Sequence, residues 1–122
     1  MSEDLEALRA LPQRYARAVD ARDRDALGAL FDPDGTVDGA RGVSPVVPYL
    51  DGLCSGPRTF AISMHVFADP LIELDGDAAT LDTYATVFQM DAANGGDDLE
   101  LGVRYIDNVV RRDGRWVIRE RT

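Results

Sequence analysis

The sequence predicts an α+β fold, three helices followed by a hairpin-rich antiparallel sheet, on three observations. Apolar residues recur at three- and four-residue spacing as far as Leu53 and alternate one-in, one-out after Pro57. Asp75-Gly76 and Asp113-Gly114 then mark two tight hairpins. Helices gathered at the start and strands at the end describe an α+β chain rather than an alternating α/β one.

Leu5, Leu8, Tyr15 and Val19 give residues 3–20 one apolar stripe, begun by Ser2 and an acidic first turn, with Pro12 expected to kink or divide the helix. Asp23 reads as the N-cap of a short second helix whose Leu27, Leu30 and Phe31 face inward. Asp32-Pro33-Asp34-Gly35 reads as a turn and Thr36–Asp38 as a short strand. Ser44-Pro45, a cap followed by proline at the first helical position, opens a third helix through Val46, Val47, Leu50 and Leu53 that ends at Gly56-Pro57. Residues 59–68 form a strand, with Phe60, Ile62, Met64 and Val66 on one face and Thr59, Ala61, Ser63, His65 and Phe67 on the other. Pro70 limits the pairing of the next segment. Strands 71–74 and 78–90 join at the first hairpin, and 99–112 and 115–121 at the second. With no repeat or linker in 122 residues, the chain 1–122 reads as one domain.

Composition removes several functions. A net charge of -9 gives neither nucleic acid nor an anionic membrane the basic footprint it needs, and no apolar run reaches a membrane span. All 13 Lys+Arg positions are arginine, so Schiff-base chemistry is absent and arginine is the only fixed cation for a substrate anion. One histidine and one cysteine leave no ligand set for zinc, and P-loop, dinucleotide and G-x-S-x-G patterns are missing, so no metal or cofactor is expected. Cys54, in an apolar helical stretch, reads as a small core residue. The acidic loop Asp91–Asp98 lacks the ligand spacing of a calcium loop and reads as a solvated hairpin tip. The start Met1-Ser2-Glu3-Asp4 is the opposite of a signal peptide, and a cytoplasmic protein is expected.

The chemistry then falls to His65, the lone histidine, with Asp20 upstream. Histidine, with an unperturbed pKa of about 6.5, takes and returns a proton near neutral pH. An acidic partner holds its ring and stabilises the imidazolium. The plainer reading, a strand histidine satisfied by the backbone beside a loop aspartate, stays open on the residues alone.

Three segments carry a family resemblance. Arg14–Asp23 followed by Leu30–Gly35, Met64-His65 ahead of Leu71–Ala79, and Tyr105–Asp107 with Arg112–Ile118 together resemble the SnoaL-like proteins of the nuclear transport factor 2-like superfamily. The resemblance spans nearly the whole chain and implies a cone: a curved antiparallel sheet with three N-terminal helices around a pocket. It also implies a small-molecule enzyme of the lyase or cyclase type. The branch holding scytalone dehydratase and dehydrochlorinases is similar in pairing an aspartate that ends the first helix with a histidine on the central strand, positions matched by Asp20 and His65. Arg121 matches an arginine of the dehydrochlorinase-like sites, where it would hold a leaving group or oxyanion. Tyr15, Asp107, Phe67 and Tyr105 are the implied substrate-binding residues, and the substrate a small apolar or polyketide- or steroid-like molecule. The second histidine of scytalone dehydratase-like sites has no counterpart.

Two alternatives stand beside this reading. Tyr15 and Asp107 are similar to the oxyanion hole of ketosteroid isomerases, although the position of that family's base falls on Gly39, with Asp38 one residue off and so on the opposite face. A non-catalytic ligand-binding dimeric module also fits the superfamily. The apolar face of Phe60, Ile62, Met64 and Val66 predicts a homodimer through the sheet.

Overall fold

The structure, a computed structural model, describes residues 2–122, the side chain of Ser2 excepted. Helix α1 (Ser2–Asp20) and the short α2 (Arg24–Ala29) lead into a strand pair, β1 (Phe31–Gly39) and β2 (Gly42–Pro45). Helix α3 (Val46–Leu53) follows, and then β3 (Phe60–Phe67), β4 (Leu71–Asp75), β5 (Ala78–Ala92), β6 (Leu99–Arg112) and β7 (Arg115–Arg121). All seven strands form one curved sheet in the order β2-β1-β7-β6-β5-β3, with β4 also on β5. The long β5 takes β3 along residues 85–92 and β4 along residues 78–82, so the chain bends between the two short strands at Pro70.

Period-2 alternation sorts the sheet into two faces. Ser63, His65 and Phe67 stand opposite Gln89, Val87 and Ala85, and on the next strand Tyr105 and Asp107 stand opposite Thr83 and Leu81, all on the face that the helices cover. Leu8, Leu11 and Tyr15 of α1, Leu27 of α2 and Val46 and Leu50 of α3 pack there with Leu81, Val109 and Ile118 as the core. The opposite face keeps Ile62, Met64 and Val66 at 49%, 44% and 48% exposure.

Several local expectations change under tertiary context. Pro12 does not divide α1, which stays one helix because Leu8, Leu11 and Tyr15 bury on both sides of it. The Asp32–Gly35 turn is absorbed into β1, where the six residues from Phe31 to Thr36 span only the three from Ile118 to Glu120 of β7. The turn-forming residues make that bulge: Asp32 Oδ1 accepts from the Asp34 amide at 3.0 Å, and Gly35 lies where a Cβ would collide with the Arg119 carbonyl oxygen. The strand expected at Thr36–Asp38 thereby lengthens to Phe31–Gly39. Ser44 does not cap α3, and Pro45 is not its first helical residue. Pairing with Val37 and Thr36 holds both residues extended in β2, and Pro45 becomes the N-cap without a side-chain bond. Helix α3 stops at Leu53, and Cys54 follows it as C-cap, half-buried against the core. Asp23 caps α2 as expected, accepting from the Ala26 amide at 3.1 Å. Every strand pair is antiparallel except β1–β7, which is parallel. Both hairpins form where the Asp-Gly pairs stand, at Asp75–Ala78 and Arg112–Arg115. No helix among the described residues is long and apolar enough to cross a membrane.

Candidate active site

Asp20 is the last residue of α1, and β3 is the free edge of the sheet beside it. The outward amide of His65 has no strand to bond, and Asp20 Oδ2 accepts it at 2.9 Å. The same carboxylate turns Oδ1 to His65 Nδ1 at 2.6 Å. A carboxylate only accepts, so the proton between them belongs to Nδ1 and the neutral ring keeps Nε2 bare. Nε2 has no protein partner among the described residues. One aspartate thus fixes the backbone position and the ring of the same histidine. Gln13 of α1, donating to the Phe67 carbonyl at 3.5 Å, fastens the same edge two residues on.

The ring is braced by aromatic neighbours. Tyr15 meets it edge-on at 6.0 Å and 89°, and Phe67 stacks parallel at 6.3 Å and 14°. The histidine side chain is 11% exposed and that of Asp20 23%. His65 opens into a cavity of about 370 Å³ between α1, α3 and the inner face of the sheet, walled by Tyr15, Tyr49, Ser63, Gln89 and Tyr105. Burial pushes the Tyr15 and Tyr105 hydroxyls above the ordinary phenol value, the nearby Arg121 charge opposing it, so both are proton donors at neutral pH.

The other residues singled out in the sequence lie around this centre rather than in it. Phe67 lines a second depression, of about 390 Å³, on the far side of the Asp20–His65 contact with Gln13 and Arg17. Arg121 and Asp107 line neither. They face each other across β6 and β7, paired through two hydrogen bonds of 2.8 and 3.0 Å, and are only 3% and 2% exposed. The Arg121 guanidinium lies 4.1 Å from the Tyr15 ring centroid and 4.3 Å from that of Tyr105. Burial acts to lower its pKa, but the bidentate Asp107 carboxylate prevails and holds it above the ordinary arginine value. Arg121 is a cation inserted between the two cavity tyrosines, which it supports from behind.

An isomerase-like arrangement is not assembled. Both Asp107 oxygens accept from Arg121, which leaves no carboxyl proton to donate to a substrate. Gly39 supplies no base, and Asp38 is exposed on the strand face opposite buried Val37.

Cavity residues not singled out from the sequence include Tyr49 on α3, Gln89 on β5, and Arg22 and Arg58 at the rim. The legible signal for the arginines was the lack of lysine, which leaves every fixed cation to arginine. Their approach from two separate loops was not legible.

The SnoaL-like domain family matches residues 1–122. No curated protein matches the sequence. Among solved structures, a protein of unknown function from Mycobacterium tuberculosis is 26% identical over 97% of this chain and 69% of its own, with a TM-score of 0.81. A proposed scytalone dehydratase from Novosphingobium aromaticivorans is 20% identical over 99% and 85%, with a TM-score of 0.84. A type 2 hexachlorocyclohexane dehydrochlorinase is 16% identical over 95% and 80%, with a TM-score of 0.82. At such identities the last two share the fold with this chain, and fold alone does not assign a reaction.

The buried pair generates a test of its role as support. Arg121→Met leaves Asp107 charged and alone, and is expected to cost about 3–5 kcal/mol in urea unfolding. Arg121→Met with Asp107→Leu removes both charges and is expected to regain most of that loss. A single variant as stable as the parent would remove the pair from the account.

Proposed function

Since the chain belongs to the SnoaL-like domain family, we propose that it is a small-molecule lyase that uses Asp20 and His65 for proton abstraction beside a carbonyl or a leaving group. The observation that carries this reading is the 2.6 Å contact between Asp20 Oδ1 and His65 Nδ1 at the wall of a cavity, with Nε2 unspent. Nε2 takes a proton from carbon next to the electron-withdrawing group, and the Asp20 carboxylate stabilises the imidazolium that forms. In an elimination, the electron pair of the broken C–H bond becomes the new C=C bond as the leaving group departs, and the imidazolium returns its proton to a departing hydroxide to give water. In a cyclisation or enolisation, the pair moves onto the carbonyl oxygen. Tyr15 and Tyr105, both protonated at neutral pH, are the donors for that oxygen. Arg121 acts through the tyrosines rather than on the substrate.

The proposed assembly is a homodimer through the uncovered sheet face. Ile62, Met64 and Val66 stand there beside half-buried Phe88 and Met90. Sedimentation at micromolar concentration is expected to show a dimer, and Met64→Lys a monomer. A monomeric parent protein would refute this assembly.

On β-hydroxy carbonyl compounds and polyketide-like ketones, His65→Ala is expected to abolish turnover. Asp20→Asn, which keeps an oxygen for the His65 amide but loses the charge, is expected to lower kcat on the order of 10²–10⁴-fold with a smaller change in KM. A substrate turned over at the parental rate by His65→Ala would disprove the proposed base.

A further inference from the structure

The rim of the cavity carries charge that the proton-transfer chemistry does not use. Arg22 and Arg58 line it together with His65, and no aspartate or glutamate is among the lining residues. In a chain with 22 acidic residues and 13 arginines, a cavity with two arginines and no acid in its wall is a local reversal of sign. Five other arginines are neutralised, Arg24 by Asp51, Arg104 by Asp82, Arg111 by Asp4 and Asp77, Arg112 by Asp32 and Arg121 by Asp107, while Arg9, Arg14, Arg17, Arg41, Arg115 and Arg119 stand outside the cavity without a carboxylate partner among the described residues. The two in the cavity have no carboxylate partner among the described residues.

They are nevertheless held in place. Arg22 sits in the left-handed region, with φ of 53°, at the turn between α1 and α2, and its Nη2 donates to the carbonyls of Ser55 and Gly56. That contact ties the end of α1 to the loop after α3. Arg58, just before β3, donates from Nη2 to the Asp20 carbonyl at 3.3 Å, at the helix end where the dipole favours a cation. Neutral carbonyls position each guanidinium without cancelling its charge. Each has five N–H donors, and the remaining ones are unspent.

We infer that the substrate of this cavity carries a carboxylate, which Arg22 and Arg58 bind at the rim while its reacting carbon faces His65. The inference rests on the cavity being the reaction site and narrows the substrate from an apolar ketone to an organic acid. A carboxylate is the best match because its two oxygens accept a guanidinium fork in parallel. It also leaves the apolar remainder of the molecule to Tyr15, Tyr49 and Leu53.

The test uses unreactive probes, so it reads this site whatever His65 does: 4-phenylbutyrate and benzoate against their amides, titrated into the full chain by calorimetry and amide NMR. At least one acid is expected to bind about tenfold or more tighter than its amide. That preference should shrink as salt rises. Arg58→Gln is expected to reduce it roughly fivefold, and Arg115→Gln, an exposed arginine at the β6–β7 turn, to leave it unchanged. Arg22→Gln is expected to reduce it likewise, and Arg58→Gln keeps the test valid should loss of the Ser55 and Gly56 contacts unfold that variant. His65→Asn is expected to retain the preference, which separates this inference from the proposed base. Equal binding of acids and amides, no binding of either, or a preference left undiminished by Arg58→Gln would overturn it.

Discussion

One carboxylate fixes both the edge of the sheet and the ring of the only histidine. Strand β3 is an edge, and an edge strand presents backbone groups that need partners. Asp20 supplies one by accepting the His65 amide, and its second oxygen is thereby carried to Nδ1 of the same residue. Helix α1 cannot move along β3 without breaking both bonds, so docking the helix and aiming the base are one event. A histidine oriented only through its ring would be free to pivot about that bond. Here the backbone bond removes that freedom.

Around this clamp the charges are arranged in two layers. Beneath the cavity, Arg121 and Asp107 form a fully buried pair whose desolvation is costly and is offset only by bidentate geometry and the flanking rings of Tyr15 and Tyr105. Its consequence lies in position: the tyrosines stand between the guanidinium and the cavity, as protonated donors. At the rim, Arg22 and Arg58 are held by carbonyls and keep their charge unneutralised. Burial therefore separates two roles for arginine, one as support and one as a site for an anion.

How much of the molecule was legible in the sequence depends on how local each signal is. The switch of period after Pro57, the two Asp-Gly hairpins and the Asp23 cap depend on neighbours within a few residues, and all appear where the spacing put them. The face assignment of β3 holds from Ile62 to Phe67 for the same reason, since alternation alone sends Met64 out and His65 in, and fails at Phe60, which lines the cavity where the strand begins. Non-local features were hidden. Gly-Val-Ser-Pro has too little alternation to announce β2, and Asp32–Gly35 has turn chemistry that β1 uses as a bulge against β7. The parallel β1–β7 joint and the burial of Arg121 against Asp107 depend on registers between distant strands. Arg22 and Arg58 sit in ordinary loop sequence and become a pair only when the two loops meet at the rim.

The central claim is that Asp20 fixes His65 with its proton on Nδ1 and leaves Nε2 as the base. Because the chain has a single histidine, long-range ¹H–¹⁵N NMR of the ¹⁵N-labelled imidazole reads that ring without ambiguity. In the neutral ring at alkaline pH, the account predicts a protonated Nδ1 and a bare Nε2, with the preference weakened or reversed in Asp20→Asn. An Nε2–H tautomer in the parent protein, or a tautomer indifferent to Asp20→Asn, would contradict it.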